Sequence, residues 1–145
     1  MEPAASAPSG GLVEIDIPSR VDLVAVVRMI VNAATNAVDA LHGDRLDDLR
    51  VVTSEATTNA IEANLTGPGG GRVAVSCFVD QGMVKLAVTD EGPGMPDDRE
   101  VPDITHPDRL LIEGAFGVPL MQRLSSDVHF ESESTGTTVH LRIVQ

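Results

Sequence analysis

The sequence predicts a two-layer α+β sandwich in which the helices pack on one face of a mixed β-sheet. The predicted elements follow the order β-α-α-β-β-loop-α-β-β, and most strands are joined as hairpins. Repeated βαβ crossovers are missing from this order, which argues against a Rossmann fold. The chain has 145 residues, a length that suits one compact domain, and its 42% hydrophobic content is sufficient for a core.

Composition narrows the possible functions. Aromatic residues make up only 2% of the chain, so the core must be aliphatic and there is no stacking platform for single-stranded nucleic acid. The formal net charge of -12 would repel a phosphate backbone, so nucleic acid is not an expected partner. The longest apolar stretch, residues 23–41, is interrupted by charged and polar side chains, and no membrane span is expected.

The ends of the domain and the single cysteine add two further expectations. Residues 1–11, MEPAASAPSGG, resemble a disordered tail rather than a signal peptide, and residues 12–145 are expected to form one domain. Cys77 is the only cysteine, which excludes an internal disulfide and suits a reducing cytoplasm. Its apolar neighbours predict a buried, inert thiol.

The first half of the domain is predicted to contain one strand and two helices. LVEIDI (12–17) alternates in hydropathy as a short strand does. A helix then runs from Asp22 to about His42. A second helix begins at Asp44 and runs to the glycine-rich loop TGPGGG (66–71).

The second half is predicted to contain two hairpins separated by a loop and a helix. RVAVSCFVD (72–80) and MVKLAVTD (83–90) form the first hairpin. Residues 90–113 are rich in Asp and Pro and indicate a long irregular loop, a type that is usually functional or mobile. The remaining elements are a helix in GAFGVPLMQRLSS (114–126) and two strands, VHFESES (128–134) and TTVHLRIV (137–144).

Strand parity places two polar residues on the inner face of the sheet. Asp90 continues the apolar face of its strand, and Thr137 starts the apolar face of the last strand. A buried carboxylate is costly unless a donor reaches it. One interpretation is that Asp90 only caps the turn DEGPG. The pairing with Thr137 favours a second one, in which the two groups read the exocyclic amine and a ring nitrogen of adenine.

The segment TSEATTNAIEAN (53–64) places two polar side chains one turn apart on the second helix. Glu55 and Asn59 are spaced i and i+4 and therefore project side by side, at the edge of an alanine stripe. An amide oxygen is a suitable ligand for Mg²⁺, which usually also takes phosphate oxygens and waters. A neighbouring carboxylate can deprotonate a hydroxyl that attacks a γ-phosphate. The simpler alternative is a solvated helix edge.

Glycines recur next to these candidate residues. Gly92 and Gly94 follow Asp90 and would let the backbone approach a flat ring. Gly114 and Gly117 lie where a helix begins, and a helix N-terminus favours phosphate. Neither a GxxxxGK[ST] motif nor a GxGxxG motif occurs in the chain, so these glycines fit neither a P-loop nor a dinucleotide fingerprint.

The four segments SEATTN, DEGPGM, EGAFG and GTTV, in this order, resemble the motifs of the GHKL ATPases, whose ATP-binding domain has the Bergerat-type fold. Length, spacing and the segment PDRLLIEGAFG most resemble one branch, the bacterial anti-sigma factor serine kinases of the sporulation and general-stress type. The resemblance spans about Ile15 to Ile143. It implies ATP and Mg²⁺ as cofactors, a sigma factor as binding partner, an anti-anti-sigma protein as serine substrate, and a homodimer.

The resemblance also assigns roles to individual residues. It implies that Glu55 is the catalytic base, that Asn59 is the Mg²⁺ ligand, and that Asp90 and Thr137 read adenine. Residues 96–113 would form the ATP lid. The positions implied in nucleotide binding are Asn59, Asp90, Gly92, Gly94, Met95, Gly114, Ala115, Phe116, Gly117 and Thr137.

Two departures from the family pattern leave an alternative function open. Ala63 stands where many relatives carry a histidine, and the phosphate segment reads GAFG. They favour a nucleotide-dependent regulatory binding module with weak or no kinase activity as the alternative. A detached histidine-kinase ATP domain is disfavoured because His42 ends its helix. A non-enzymatic α+β interaction protein is the remaining possibility.

Overall fold

The computed structural model describes residues 10–66, 70–92 and 117–145. Three helices pack against a five-stranded antiparallel sheet, which confirms the two-layer α+β sandwich. A short 3-10 turn, Val21–Leu23, precedes the first helix. The strands and helices are β1 (Gly11–Pro18), α1 (Val24–Ala37), α2 (Gly43–Thr66), β2 (Arg72–Asp80), β3 (Met83–Thr89), α3 (Gly117–Leu124), β4 (Asp127–Glu133) and β5 (Gly136–Val144).

The expectation of a mixed sheet is wrong for the strands that the structure describes. Their order is β1-β2-β3-β5-β4, and every neighbouring pair is antiparallel. β3 and β4 do run in the same direction. However, β5 lies between them and pairs antiparallel with both, so the two parallel strands never contact each other.

The core lies between the sheet and the helices and is almost entirely aliphatic, as the composition predicted. The inner residues of β2, β3 and β5 alternate strictly with more exposed ones, so each of these strands presents one face to the helices. The largest fully buried side chains are Leu41, Leu49, Ile61, Met121, Ile143, Val27, Val31, Val52, Val73, Val75, Val84 and Val88.

Cys77 lies in this core on β2 and is fully buried. Burial raises the pKa of its thiol to about 11. The thiolate is the reactive form of cysteine, so a raised pKa makes the group inert at neutral pH. The prediction of a buried, structural cysteine is confirmed.

The first helix ends earlier than predicted, at Ala37 rather than near His42. Asp39 adopts a positive φ of 52°, and the backbone N–H of Ala40 donates to the carbonyl of Thr35 at 3.0 Å. A left-handed residue just past the last turn is a common way to end a helix. After this reversal, Ala40 and Leu41 are buried in the core.

None of the helices in the described ranges is long and apolar enough to cross a membrane.

Candidate functional site

One face of α2 carries a row of three residues that continues past the predicted pair. Glu55, Asn59 and Ala63 follow each other at four-residue intervals and are all half-buried. Within the described part of the chain, neither the Glu55 side chain nor the Asn59 side chain makes a hydrogen bond or an ion pair. Their polar groups are therefore not engaged in holding the described fold together.

The threonines of the same segment explain how such a polar sequence remains helical. Thr53 and Thr57 are fully buried, on the side that packs on the sheet. The hydroxyl of Thr53 donates to the carbonyl of Leu49 at 2.7 Å, and that of Thr57 donates to the carbonyl of Thr53 at 2.7 Å. Hydrogen bonding to the preceding turn lets a buried hydroxyl stay in a helix without an outside partner.

Asp90 lies directly after β3 and is buried, with 8% of its surface exposed. The backbone N–H groups of Gly92 and Thr137 donate to its Oδ1 at 2.9 and 3.2 Å. Both N–H groups donate to the same oxygen, and neither of them donates to Oδ2. Burial raises the pKa of the Asp90 carboxyl, and the two backbone hydrogen bonds oppose that shift.

Thr137 is the first residue on the inner face of β5, and hydrogen bonds connect it to Asp90. The backbone N–H of Asp90 donates to the Thr137 carbonyl at 2.9 Å, while the backbone N–H of Thr137 donates to the Asp90 side chain. The Thr137 side chain is buried, and its hydroxyl lies 3.1 Å from that of Ser132. The inward placement of Asp90 and Thr137 that strand parity predicted is confirmed.

Gly92 joins the Asp90 turn to the row on α2. A Cβ atom added at Gly92 would lie 2.6 Å from the backbone oxygen of Ala63 and 3.1 Å from its side chain. Only glycine permits so close an approach. Ala63 is the end of the row that begins at Glu55, about 12 Å away along the helix axis. The structure therefore places the Asp90 turn beside the end of the helix row that also carries Asn59 and Glu55.

The turn before Thr137 depends on a second glycine, Gly136, which lies between the two predicted strands. Gly136 has a φ of 155°, and a Cβ atom at this position would overlap the carbonyl oxygen of Asp90. Its missing side chain is what lets β5 close on the Asp90 turn. A glycine before the predicted strand was visible in the sequence, but its contact with a residue 46 positions earlier was not.

We expect Gly136→Ala to lower the free energy of unfolding by roughly 1–3 kcal/mol, because the added methyl group overlaps backbone that cannot easily move. Urea unfolding followed by circular dichroism measures this loss. Gly82→Ala is the matched control, since Gly82 also has a positive φ of 72° but has nothing within 4 Å of an added Cβ atom. Equal losses in the two variants would contradict the close contact with Asp90.

Several predicted site residues lie outside the described residues: Gly94, Met95, Gly114, Ala115 and Phe116. The expected lid, residues 96–113, lies there as well. Gly117 is the first described residue of α3, and residues 114–116 of the predicted helix lie outside the described residues. Pro119 lies in the first turn of α3, where a missing backbone N–H costs nothing.

The described site offers one buried hydrogen-bond acceptor, Asp90, and two polar side chains on the neighbouring helix, Asn59 and Glu55. Asp90 can accept a hydrogen bond from a ligand amine in a partly enclosed place. Asn59 supplies an amide oxygen that fits a hard cation, and Glu55 supplies a carboxylate that can take a proton. This arrangement suits a ligand with an amine at one end and negative charge at the other.

The sequence is similar to a described protein family and to individual known proteins. A family model described as a histidine kinase-like ATPase domain, HATPase_c_2, matches residues 17–143. An anti-sigma F factor from Geobacillus stearothermophilus is 38% identical over 102 residues, covering 68% of this chain and 69% of the relative. The serine-protein kinase RsbW from Bacillus pumilus is 29% identical over 135 residues, covering 88% of this chain and 82% of the relative.

A solved structure of the RsbU and RsbW domains of Rv1364c from Mycobacterium tuberculosis has a similar fold. The TM-score is 0.66 at 18% identity, and the match covers 92% of this chain and 32% of that one. At this level of identity the likeness concerns the fold alone.

Proposed function

This chain belongs to the histidine kinase-like ATPase domain family, and we propose that it is an anti-sigma factor with protein serine kinase activity. It sequesters a sigma factor and uses Mg-ATP to phosphorylate a serine on an anti-anti-sigma protein of the STAS type. The observation that carries this proposal is the contact of Gly92 with Ala63, which joins the Asp90 turn to the Glu55 and Asn59 row.

Asp90 and Thr137 bind the adenine end of ATP in this proposal. The two backbone donors on Oδ1 fix the carboxylate and leave Oδ2 available to the ligand. Oδ2 accepts from the exocyclic amine, and the Thr137 hydroxyl serves a ring nitrogen. Gly92 lets the backbone of the Asp90 turn lie close against α2.

Asn59 and Glu55 act at the phosphate end. The Asn59 amide oxygen would hold Mg²⁺, and one protein oxygen is a sufficient donor because this ion otherwise takes phosphate oxygens and waters. Bound Mg²⁺ would neutralise charge on the phosphates. Glu55 accepts the proton of the substrate serine hydroxyl as that oxygen attacks the γ-phosphorus. The bond between the γ-phosphorus and the β,γ-bridging oxygen breaks, and ADP leaves. The resemblance implies that two further stretches also contact the nucleotide, one with Gly94 and Met95 and the other with Gly114, Ala115 and Phe116.

The proposed partners follow from the relatives and not from the site. The relatives' names, anti-sigma F factor and serine-protein kinase, support a sigma factor and a protein serine substrate. The net charge of -12 suits a basic protein surface and disfavours nucleic acid. The cytoplasmic location and the homodimer also belong to this proposal.

The function is tested by isolating partners and then measuring phosphate transfer. The protein is used as bait in a lysate of its own cells with and without Mg-ATP, and the captured proteins are purified. We expect one captured protein to become labelled on serine by Mg-[γ-³²P]ATP, and a second, a sigma factor, to bind without being labelled. Replacing the labelled serine with alanine in the partner is the control.

Ala63 supports a second candidate function, a nucleotide-dependent binding module without kinase turnover. It stands where many relatives carry a histidine, and Gly92 packs directly against it. ATP-dependent capture of a partner with no label on any captured protein would favour this module over the kinase.

A further inference from the structure

Asn64, the residue after Ala63, is a buried polar side chain that the proposed chemistry does not use. Only 2% of its surface is exposed. Its Nδ2 donates to the Ser19 hydroxyl at 2.8 Å and to the Arg72 carbonyl at 3.1 Å, and its Oδ1 accepts from the backbone N–H of Glu91 at 2.7 Å. Both ends of the amide are therefore engaged.

The partners of Asn64 come from three separate segments of the chain, and further hydrogen bonds connect these segments. The Ser19 hydroxyl donates to the carbonyl of Gly71 at 2.5 Å, and the Glu91 carboxylate accepts from the backbone N–H of Arg72 at 2.6 Å. The resulting network joins the approach to α1, the end of α2, the start of β2 and the Asp90 turn. A buried network whose members are satisfied specifies one arrangement of its segments.

The bond to Glu91 connects this network to the nucleotide site. Glu91 directly follows Asp90, and Asn64 lies on the same helix as Glu55 and Asn59. We propose, on the basis of the ATP site proposed above, that Asn64 is a positioning residue that sets the Asp90 turn at a fixed place relative to α2. It contacts no ligand atom and acts on adenine recognition through the backbone of Glu91.

Asn64→Leu tests this proposal because it keeps the approximate size of the side chain and removes all three hydrogen bonds. We expect ATP affinity to fall by about 10-fold to 100-fold, since a displacement of about 1 Å at a binding group has effects of this size. The preference for ATP over ITP should also fall, because ITP lacks the exocyclic amine that Asp90 reads. Isothermal titration calorimetry measures both affinities, at a temperature far below the unfolding transition.

Two control variants separate positioning from general stability. Ser19→Ala removes one partner of Asn64 and leaves the bond to Glu91, so it should lower stability and keep the wild-type ATP to ITP ratio. Thr35→Val removes a buried hydroxyl that bonds only within α1, to the carbonyl of Val31 at 2.7 Å, and should leave the ratio unchanged. If Asn64→Leu does not fold, Asn64→Ala is measured in the same way with the same expectation.

A folded Asn64 variant with the wild-type ATP to ITP ratio would overturn the positioning role, even if its stability were lower. A fall in the ratio as large in Ser19→Ala as in Asn64→Leu would show that the bond to Glu91 is not the operative one. Failure of the wild-type protein to bind ATP is a different result, since it would refute the proposed function itself.

Discussion

Asp90→Asn is expected to weaken ATP binding by about 100-fold or more while leaving the fold intact. The backbone N–H groups of Gly92 and Thr137 both donate to Oδ1, and the asparagine oxygen can accept the same two bonds. The other end of the side chain then becomes an NH₂ group that faces the adenine amine. Two donors face each other, and a buried polar group left unpaired in this way is costly.

The same substitution should not lower stability at neutral pH. Because burial raises the pKa of Asp90, the folded protein holds this proton more tightly than the unfolded chain does. The protonated Asp90 therefore contributes its whole stabilising free energy at acid pH. This contribution is lost as the pH rises through the raised pKa of the folded state. The stability of D90N relative to the wild type should increase over that pH range and then level off.

Calorimetric titration with ATP and urea unfolding at several pH values measure these two effects. Asp16→Asn is the matched control, since Asp16 is an exposed carboxylate whose ion pair with Arg72 lies at the surface. D16N should bind ATP as the wild type does. If folded D90N bound ATP with an affinity within about threefold of the wild-type value, Asp90 would not be the residue that recognises adenine.

Glu55→Gln is expected to slow phosphate transfer by about 10²-fold to 10⁴-fold, the usual contribution of a general base. Glutamine keeps the shape of the side chain and its place in the row with Asn59, but it cannot take a proton from the substrate serine. ATP affinity should change little, because adenine recognition lies at the other end of the row. Single-turnover transfer to the partner, together with ATP titration, separates the two quantities.

Glu14→Gln provides the control for this experiment, because Glu14 is an exposed carboxylate on β1. Equal transfer rates in E55Q and the wild type would show that another group is the base. A rate that falls together with ATP affinity would instead assign Glu55 to binding.

The elements and the inward polar residues could be predicted because they depend on local periodicity. A strand has a strict two-residue period, so the apolar neighbours of Asp90 and Thr137 were enough to fix which face these residues occupy. The helix that carries Glu55 and Asn59 followed in the same way from its apolar stripe. The roles of these residues in binding and catalysis stay predictions.

What could not be predicted depends on contacts between distant parts of the chain. The insertion of β5 between β3 and β4 made the sheet antiparallel, and no local pattern encodes such an insertion. In the sequence alone, Asn64 is an ordinary polar residue near the end of a helix. Its partners, Ser19, Arg72 and Glu91, lie 45, 8 and 27 positions away.

The central position of β5 has a consequence for synthesis on the ribosome. Strands β1 to β3 can pair as soon as they emerge, but β4 has no neighbour among the described strands until residues 136–144 arrive. Thr137 belongs to this late strand, so the adenine end of the proposed site is assembled at the same time. A nascent chain that has reached only β4 would carry the helix with Glu55 and Asn59, yet ATP could not assist its folding.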